Sequence, residues 1–278
     1  MSEHPAAGVL LADKPAGISS HDVVARARHA LGVRRVGHAG TLDPFATGLL
    51  IVLVARATRL QRLFMALPKT YEVLARLGAT SDTGDPEGEI VETGVLPSEP
   101  LELPLGVIRQ RPPVYSAVKV AGERAYARAR RGETVELAER EVEVYECREL
   151  GRDGDRVSLR IRCSSGTYIR SLVAALGDAY CLELRRTAIG PFAVADAWPT
   201  QGPANVLDIV AACARFLPLL ELDEEQARAI RHGRAIAAPA GASPVLVTDA
   251  GAAIAIAERR RGADGTTLLA PVVGLAEQ

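Results

Sequence analysis

The chain has 278 residues, of which 48% are apolar, so it is long enough to bury one large core or two smaller ones. Its 33 Lys and Arg residues are balanced by 34 Asp and Glu residues, and the resulting net charge of −1 argues on its own against a nucleic-acid partner. With no long uncharged apolar run, no basic and apolar leader and four widely spaced cysteines, the sequence predicts a soluble cytoplasmic protein without a membrane span, disulfide framework or zinc site.

The charge is unevenly distributed along the chain. Residues 1–62 carry eight Lys or Arg against four Asp or Glu, and residues 105–140 show the same surplus. Of the 33 basic residues 30 are arginine, the side chain that forks onto phosphates and stacks on bases. A GC-rich genome also raises the arginine content, so only the local clusters favour a nucleic-acid-binding surface.

A strand over residues 9–13 and a helix over 21–31 are the first predicted elements. The turn between them, Lys-Pro-Ala-Gly-Ile-Ser-Ser, places Ser20 where it can cap the helix. A lysine in such a turn is most often a solvated charge, and we do not expect Lys14 to act in catalysis.

That loop is residues 37–50, Gly-His-Ala-Gly-Thr-Leu-Asp-Pro-Phe-Ala-Thr-Gly-Leu-Leu, with Asp43 at its centre. Its glycines and proline interrupt any helix or strand, and Pro44 biases Asp43 toward an extended backbone. The apolar run at residues 49–55 predicts a buried element that anchors the loop.

A helix over residues 58–67 and a strand over 69–77 follow, with Tyr71 on the buried face of the strand. The acidic turn at 80–88 is similar to a calcium loop but lacks the distal glutamate, so we expect no metal there. Arginines at 124, 128, 130 and 131 on a helix predicted over 123–131, together with Tyr115 and Tyr126, are typical of RNA contacts. A solvated basic helix is the alternative.

The second half predicts a hairpin, a strand that turns into a helix at Cys163-Ser-Ser-Gly-Thr-Tyr-Ile-Arg-Ser-Leu172, and a strand over 182–190. A helix over 206–216 follows a linker. After Pro218 the pattern changes to a short helix over 223–232 and short strands at 234–237, 245–249, 252–258 and 267–273.

Four of these stretches, at residues 13–20, 37–50, 69–73 and 163–172, together resemble the TruB family of pseudouridine synthases, which modify the T-loop of transfer RNA. The resemblance implies an α+β fold in which the turn at residues 13–20 supports the Asp43 loop. Residues 1–215 would form the catalytic domain, a mixed, mainly antiparallel sheet flanked by helices, with an RNA-binding thumb insertion at about 108–140. Residues 216–278 would form a small PUA-like β-barrel that binds RNA.

The resemblance also implies an isomerase that flips the uridine at position 55 out of the T-loop of tRNA and converts it to pseudouridine. Asp43 would be the catalytic carboxylate; whether it attacks C6, attacks the ribose or removes a proton stays open. The implied substrate-binding residues are His38, which fills the vacated stack, Tyr71 against the base, Tyr168 in the pocket, Arg170 paired with Asp43 to keep it ionised, and Leu184 as an apolar wall.

No cofactor and no metal are expected, because nothing leaves the substrate and nothing is oxidised. The expected partner is tRNA, and the expected state is a monomer. Two other hypotheses remain: a non-catalytic tRNA-binding or tRNA-folding protein on the same scaffold, and a synthase that acts on another RNA.

Overall fold

The computed structural model describes residues 7–113, 115, 119–120, 123–124, 128, 131, 133, 137–262 and 264–276. Within these ranges the helices are α1 Ser20–Leu31, α2 Gln61–Ala66, α3 Ile169–Ala174, α4 Ile209–Cys213 and α5 Glu224–Arg231, with 3₁₀ helices at Ala55–Leu60 and Val194–Asp196. None of these described helices is long and apolar enough to cross a membrane.

Strands make up most of the regular structure. In chain order they are β1 Gly8–Lys14, β2 Val36–His38, β3 Thr47–Val54, β4 Lys69–Leu77, β5 Ala79–Ser81, β6 Ile90–Glu92, β7 Gly106–Gln110, β8 Lys119–Val120, β9 Glu123–Arg124, β10 Arg140–Asp153, β11 Arg156–Cys163, β12 Ala179–Ile189, β13 Phe192–Ala193, β14 Leu207–Asp208, β15 Leu219–Glu221, β16 Ile236–Ala237, β17 Val245–Asp249, β18 Ala252–Arg261 and β19 Thr267–Gly274.

Ten of these strands form a central sheet in the order β14-β1-β3-β12-β4-β11-β10-β7, with β2 added to β3 and β13 added to β12. Its pairs are antiparallel except for β12 and β3, which run parallel where Arg185 and Arg186 lie opposite Thr47 and Gly48. The predicted α+β class, with a mixed and mainly antiparallel sheet, is therefore confirmed.

The apolar run predicted to anchor the Asp43 loop is β3, which is buried on both faces. Leu49, Ile51 and Leu53 pack into one apolar cluster, whereas Leu50 and Val52 pack into another that includes α1. Period-two alternation sends successive side chains to opposite faces, so a strand covered on both sides is apolar throughout. The loop therefore leads directly into the core.

Helix α1 begins one residue earlier than expected, because Ser19 and not Ser20 is its N-cap. Ser19 and Asp22 form a reciprocal capping box. The buried Ser20 hydroxyl instead accepts from Leu42 N at 2.9 Å and donates to Leu42 O at 3.3 Å. The residue predicted to cap the helix thus holds the Asp43 loop.

Two predicted helices are shorter than expected. In place of one helix over 58–67, the structure has the 3₁₀ helix Ala55–Leu60 followed by the six-residue α2. The Thr58 hydroxyl donates to Ala55 O at 2.8 Å within the 3₁₀ helix. Residues 206–216 contain β14 and the short helix α4, because the Asp208 side chain accepts from Val210 N and Ala211 N and starts the helix there. Most of the helix predicted over 123–131, including Tyr126, lies outside the described residues.

The C-terminal strands form a second sheet in the order β15-β17-β18-β19-β16, with α5 packed against it. No ladder joins the two outer strands, β15 and β16, in the described part of the chain. This sheet is packed against the first: Leu246, Ile256 and Leu275 belong to the same buried cluster as Leu49 and Phe64. A continuous apolar core therefore connects both sheets.

Candidate active site

A cavity of about 530 Å³ lies where the Asp43 loop meets α2, β4, β12 and the turn before α3. Among the predicted site residues, Asp43, Tyr71, Tyr168, Arg170 and Leu184 all line it. The fold thus brings together five side chains that are up to 141 residues apart in the chain.

Lys14, in the turn expected to support the Asp43 loop, is buried beneath that loop and is not the solvated charge that its sequence context favoured. Its side chain is fully buried, and its Nζ donates to the carbonyl oxygens of Pro15, Ile18 and Pro44 at 2.9, 2.8 and 3.0 Å. Gly17 N also donates to Pro44 O at 2.9 Å. Burial lowers the pKa of Lys14 to about 8, although the nearby Asp43 carboxylate acts in the opposite direction.

Arg186 is a second buried cation beneath the loop, and it was not among the residues predicted for the site. Its Nε donates to Leu49 O at 2.7 Å, and its Nη1 and Nη2 donate to Thr41 O and Gly40 O at 3.3 and 3.2 Å. Adjacent strand residues point to opposite faces, so one of Arg185 and Arg186 had to point inward. That alternation was the available signal.

The close approach of β12 to β3 explains one of the loop glycines. Gly48 has φ +105°, and a Cβ at this position would lie 2.3 Å from Arg186 O. Only glycine fits here, because a side chain would collide with backbone and because this φ is unfavourable for other residues.

Arg170 is the centre of the polar network at the cavity. Its Nε lies 2.9 Å from Asp43 Oδ2, and its Nη1 lies 3.2 Å from Asp85 Oδ2. Nη1 also donates to Thr83 O at 2.7 Å, and Nη2 donates to Tyr115 O at 2.9 Å. The Arg170 side chain is only 4% exposed, whereas Asp43 remains 33% exposed. The Asp43 carboxylate is therefore paired with a buried arginine while part of its own surface stays accessible.

Burial dominates the electrostatics of Asp43 and raises its pKa above the ordinary value of 3.8. Arg170 lowers the pKa, and Asp85 raises it further. The expected effect of Arg170 on ionisation is thus present, but the desolvation of Asp43 exceeds it. The result is a carboxylate that is a stronger base than a solvated aspartate.

Asp85, the second partner of Arg170, was not predicted as a site residue. Its carboxylate is 6% exposed and accepts from Thr83 Oγ1 at 2.6 Å and from Glu87 N at 3.1 Å. The acidic turn considered as a calcium loop therefore holds an arginine. No group of three or more His, Cys, Asp or Glu that could bind a metal occurs within the described ranges. In sequence, nothing local distinguishes Asp85 from the exposed Asp82.

The two tyrosines occupy different walls. Tyr71 on β4 is 8% exposed; burial raises its pKa, and Arg186 opposes this rise. Tyr168 is half-buried, and the Gln110 side chain fixes its backbone through bonds of 2.8 Å to both Tyr168 N and Tyr168 O. Arg140 Cζ lies 4.7 Å from the centre of the Tyr168 ring.

His38 is placed differently from the other predicted residues, because it does not line the cavity. It ends β2, and its ring contacts the His21 ring edge to face with centroids 5.3 Å apart. Its carbonyl oxygen accepts from Gln61 Nε2 at 2.8 Å. His38 thus lies on the Asp43 loop but outside the pocket.

Comparison with known proteins gives a consistent result. Residues 28–169 match the model of the TruB family pseudouridylate synthase, N terminal domain. The chain is 44% identical over 281 residues to tRNA pseudouridine synthase B of Thermobifida fusca, covering 92% of this chain and 95% of the relative. It is 42% identical to the protein of the same name from Mycobacterium sp. (strain KMS), covering 90% and 92%.

Solved structures with the same fold include a Cbf5-Nop10-Gar1 complex, matched at 26% identity with a TM-score of 0.72 over 97% of this chain and 84% of that chain. An H/ACA RNP bound to a substrate RNA containing 2′-deoxyuridine matches at 23% identity with a TM-score of 0.70, over 97% and 85%. This second likeness concerns the fold alone.

Proposed function

The chain belongs to the TruB family of pseudouridylate synthases, and from this premise we propose that it isomerises the uridine at position 55 in the T-loop of tRNA, with Asp43 as the essential carboxylate. The relatives named above are tRNA pseudouridine synthases, so the chain is an isomerase that forms pseudouridine in tRNA. The target position and the role of each side chain are our proposals.

One observation supports this assignment above the others. Asp43 is the sole acidic residue among the described residues that line the cavity, and a third of its side chain stays exposed while it contacts the buried Arg170. A single carboxylate next to an enclosed apolar wall suits a reaction that needs one nucleophile or base. No second acid among the described lining residues competes for this role.

The reaction itself places few demands on the protein. The bond between N1 and C1′ breaks, a bond between C5 and C1′ forms, and the hydrogen lost from C5 is replaced by one on N1. The atoms of substrate and product are the same, so no redox partner is required. The protein must hold the detached uracil, let it turn, and stabilise the electrophilic centre with Asp43.

The cavity walls suit a uracil ring. Tyr71 and Leu184 are buried at the cavity with 8% and 7% exposure and offer flat and apolar surfaces. Tyr168 contributes a further aromatic edge, held by Gln110. We assign Tyr71 to stacking on the base, Leu184 and Tyr168 to the pocket wall, and Arg170 to orienting Asp43.

Asp43 is recessed in the cavity, so a uridine within a folded loop must leave its stack to reach it. His38 lies on the same loop but outside the cavity, where it can enter the space that the base vacates. We therefore assign His38 to the RNA and not to the reacting atoms.

We further propose that residues 1–215 form the catalytic domain, with a thumb at about 108–140, and that residues 216–278 form a PUA-like RNA-binding module of a cytoplasmic monomer. The five-stranded C-terminal sheet and its helix α5 support the second part. So do Arg260 and Arg261, which are exposed at the end of β18.

The test is to incubate the purified protein with unmodified tRNA and to map pseudouridine at single-nucleotide resolution. We expect modification at position 55, and no modification in a tRNA that carries cytidine there. Binding without modification would favour the tRNA-folding hypothesis. Modification of a different site, or restoration of pseudouridine only in messenger or ribosomal RNA when the gene is returned to a deletion strain, would favour another substrate.

A further inference from the structure

The cavity has a strong excess of positive charge. Among the described residues that line it, Asp43 is the one acid, and the bases are Arg62, Lys69, Arg140, Arg170 and Arg186. One carboxylate balances only one of these five positive charges, so the partners of each cation are considered in turn.

Three of the five cations are buried and bonded to the protein itself. Arg170 is paired with Asp43 and Asp85, and Arg186 donates to three loop carbonyl oxygens. Lys69 Nζ donates to Leu67 O at 2.6 Å and also contacts Met65 O. These side chains hold the walls of the cavity in place.

The remaining two, Arg62 on α2 and Arg140 on β10, lie nearer the surface and have no carboxylate partner within the described residues. Arg62 is exposed and makes no hydrogen bond to the described part of the chain. Arg140 is half-buried over the Tyr168 ring, and its Nη2 donates to Gly166 O. Its Nη1 has no hydrogen-bond partner in the ranges that the structure describes.

Two guanidinium groups at the edge of a cavity, neither with a carboxylate partner among the described residues, favour an anionic ligand, because guanidinium matches the geometry of phosphate and carboxylate oxygens. The uracil ring and the ribose are neutral. In the RNA that the proposed function requires, the only anions are the backbone phosphates.

We propose that Arg140 and Arg62 form a phosphate-binding pair that holds the phosphodiester groups beside the flipped uridine. This inference rests on the proposed function and adds the part of the substrate that the two residues contact. Arg140 also lies over the Tyr168 ring, so its guanidinium connects the phosphate contact to the wall of the base pocket. Arg62 contacts the RNA backbone from the α2 side of the cavity.

The test uses a T-arm RNA hairpin with a neutral methylphosphonate placed, one at a time, at each phosphate beside the target uridine. For the wild-type protein, one or two of these positions should weaken binding roughly tenfold, the loss expected for a charge-assisted contact. Arg140→Gln should weaken binding of the normal RNA by a similar factor and should show no further loss at the phosphate that Arg140 contacts. This absence of a further loss is the coupling between the residue and its phosphate. Arg62→Gln should show the same coupling at a different phosphate.

Matched controls separate a phosphate contact from a structural effect. Arg162→Gln removes an arginine that stacks on Tyr145 at 5.1 Å but does not line the cavity, so it should leave binding and coupling unchanged. Arg140→Lys keeps the charge and should recover part of the affinity. The slope of log Kd against log salt concentration should decrease by about 0.7 for each lost contact.

The proposal would be overturned if the loss of affinity from Arg140→Gln simply added to the loss from methylphosphonate at every phosphate tested. A change limited to kcat with unaltered binding would also overturn it, because that would show a purely structural role of Arg140 on Tyr168. Absence of pseudouridine in the wild-type reaction would contradict the proposed function instead, and it is measured separately on the unmodified hairpin.

Discussion

Two arginine–aspartate pairs near the Asp43 loop have similar contact distances and different surroundings. Arg170 and Asp43 approach to 2.9 Å with side chains 4% and 33% exposed, whereas Arg185 and Asp13 approach to 2.7 Å with side chains 40% and 31% exposed. The first arginine has a second carboxylate, Asp85, and two carbonyl oxygens as partners. The second forms a fork onto one aspartate in contact with solvent.

The difference shows that burial, and not distance, decides what an ion pair does. A solvated pair gains little, because water screens its charges and competes for its hydrogen bonds. A buried cation costs more to desolvate, and removal of it leaves its partners uncompensated. Arg170 therefore controls both the folding of the site and the basicity of Asp43, while Arg185 should control neither.

The largest effect is expected from Arg170→Met. It leaves Asp43 and Asp85 without a cation, so we expect the free energy of unfolding to fall by about 3–5 kcal/mol. Denaturant unfolding measures this loss, and single-turnover pseudouridine formation should fall roughly a hundredfold or more. Arg185→Met is the matched control. Equal losses in both variants would remove the distinction between the pairs.

A large effect on folding and activity is also expected from Lys14→Met, which leaves the carbonyl oxygens of Pro15 and Ile18 without their Lys14 donor and Pro44 O with Gly17 N alone. We expect the free energy of unfolding to fall by about 1–3 kcal/mol near pH 7, as measured by denaturant unfolding.

The wild-type free energy of unfolding should rise between pH 8 and 10.5, because Lys14 releases its proton at about pH 8 when folded and at the ordinary 10.5 when unfolded. Lys14→Met should reduce this rise in a pH series of unfolding curves, and Lys69, with a pKa also lowered to about 8, should supply the remainder. An identical pH dependence in both proteins would contradict the assignment.

A smaller and more specific effect is expected from Asp85→Asn. Asp85 raises the pKa of Asp43, so its neutralisation should lower that pKa and move the acid limb of the pH–kcat profile to lower pH. Asp82→Asn, in the same turn but exposed, should leave the limb in place. A shift of the limb to higher pH in Asp85→Asn would contradict this expectation. It would mean that Arg170 had moved away from Asp43, and that this change raises the Asp43 pKa more than removal of the Asp85 charge lowers it.

The smallest effect is expected from Asp13→Asn, which weakens the solvated pair. We expect less than about 1 kcal/mol of destabilisation and activity within roughly twofold of the wild type. Thermal unfolding and steady-state kinetics check both values. A loss as large as that of Arg170→Met would show that exposure does not separate the two pairs.

The local sequence pattern predicted those elements whose structure depends mainly on neighbouring residues in the chain. The glycines and proline around Asp43 predicted its loop, and alternation predicted the buried face of β4 that carries Tyr71. Arg186 and Asp85 were missed because their importance comes from contacts with residues more than eighty positions away. The Ser19 cap was assigned one residue late because two serines stand side by side, and only the contact of Ser20 with Leu42 distinguishes them. Roles such as that of His38 depend on RNA, which neither sequence pattern nor the fold alone specifies.

The central claim is that one recessed carboxylate performs the chemistry, and Asp43→Asn tests it most directly because the substitution preserves shape and removes charge. On one preparation, single-turnover pseudouridine formation at position 55 and the Kd for the T-arm hairpin should be measured together. We predict that formation falls by roughly a thousandfold or more while the Kd changes by less than about threefold. Formation at a rate close to wild type by a correctly folded Asp43→Asn protein would contradict the account.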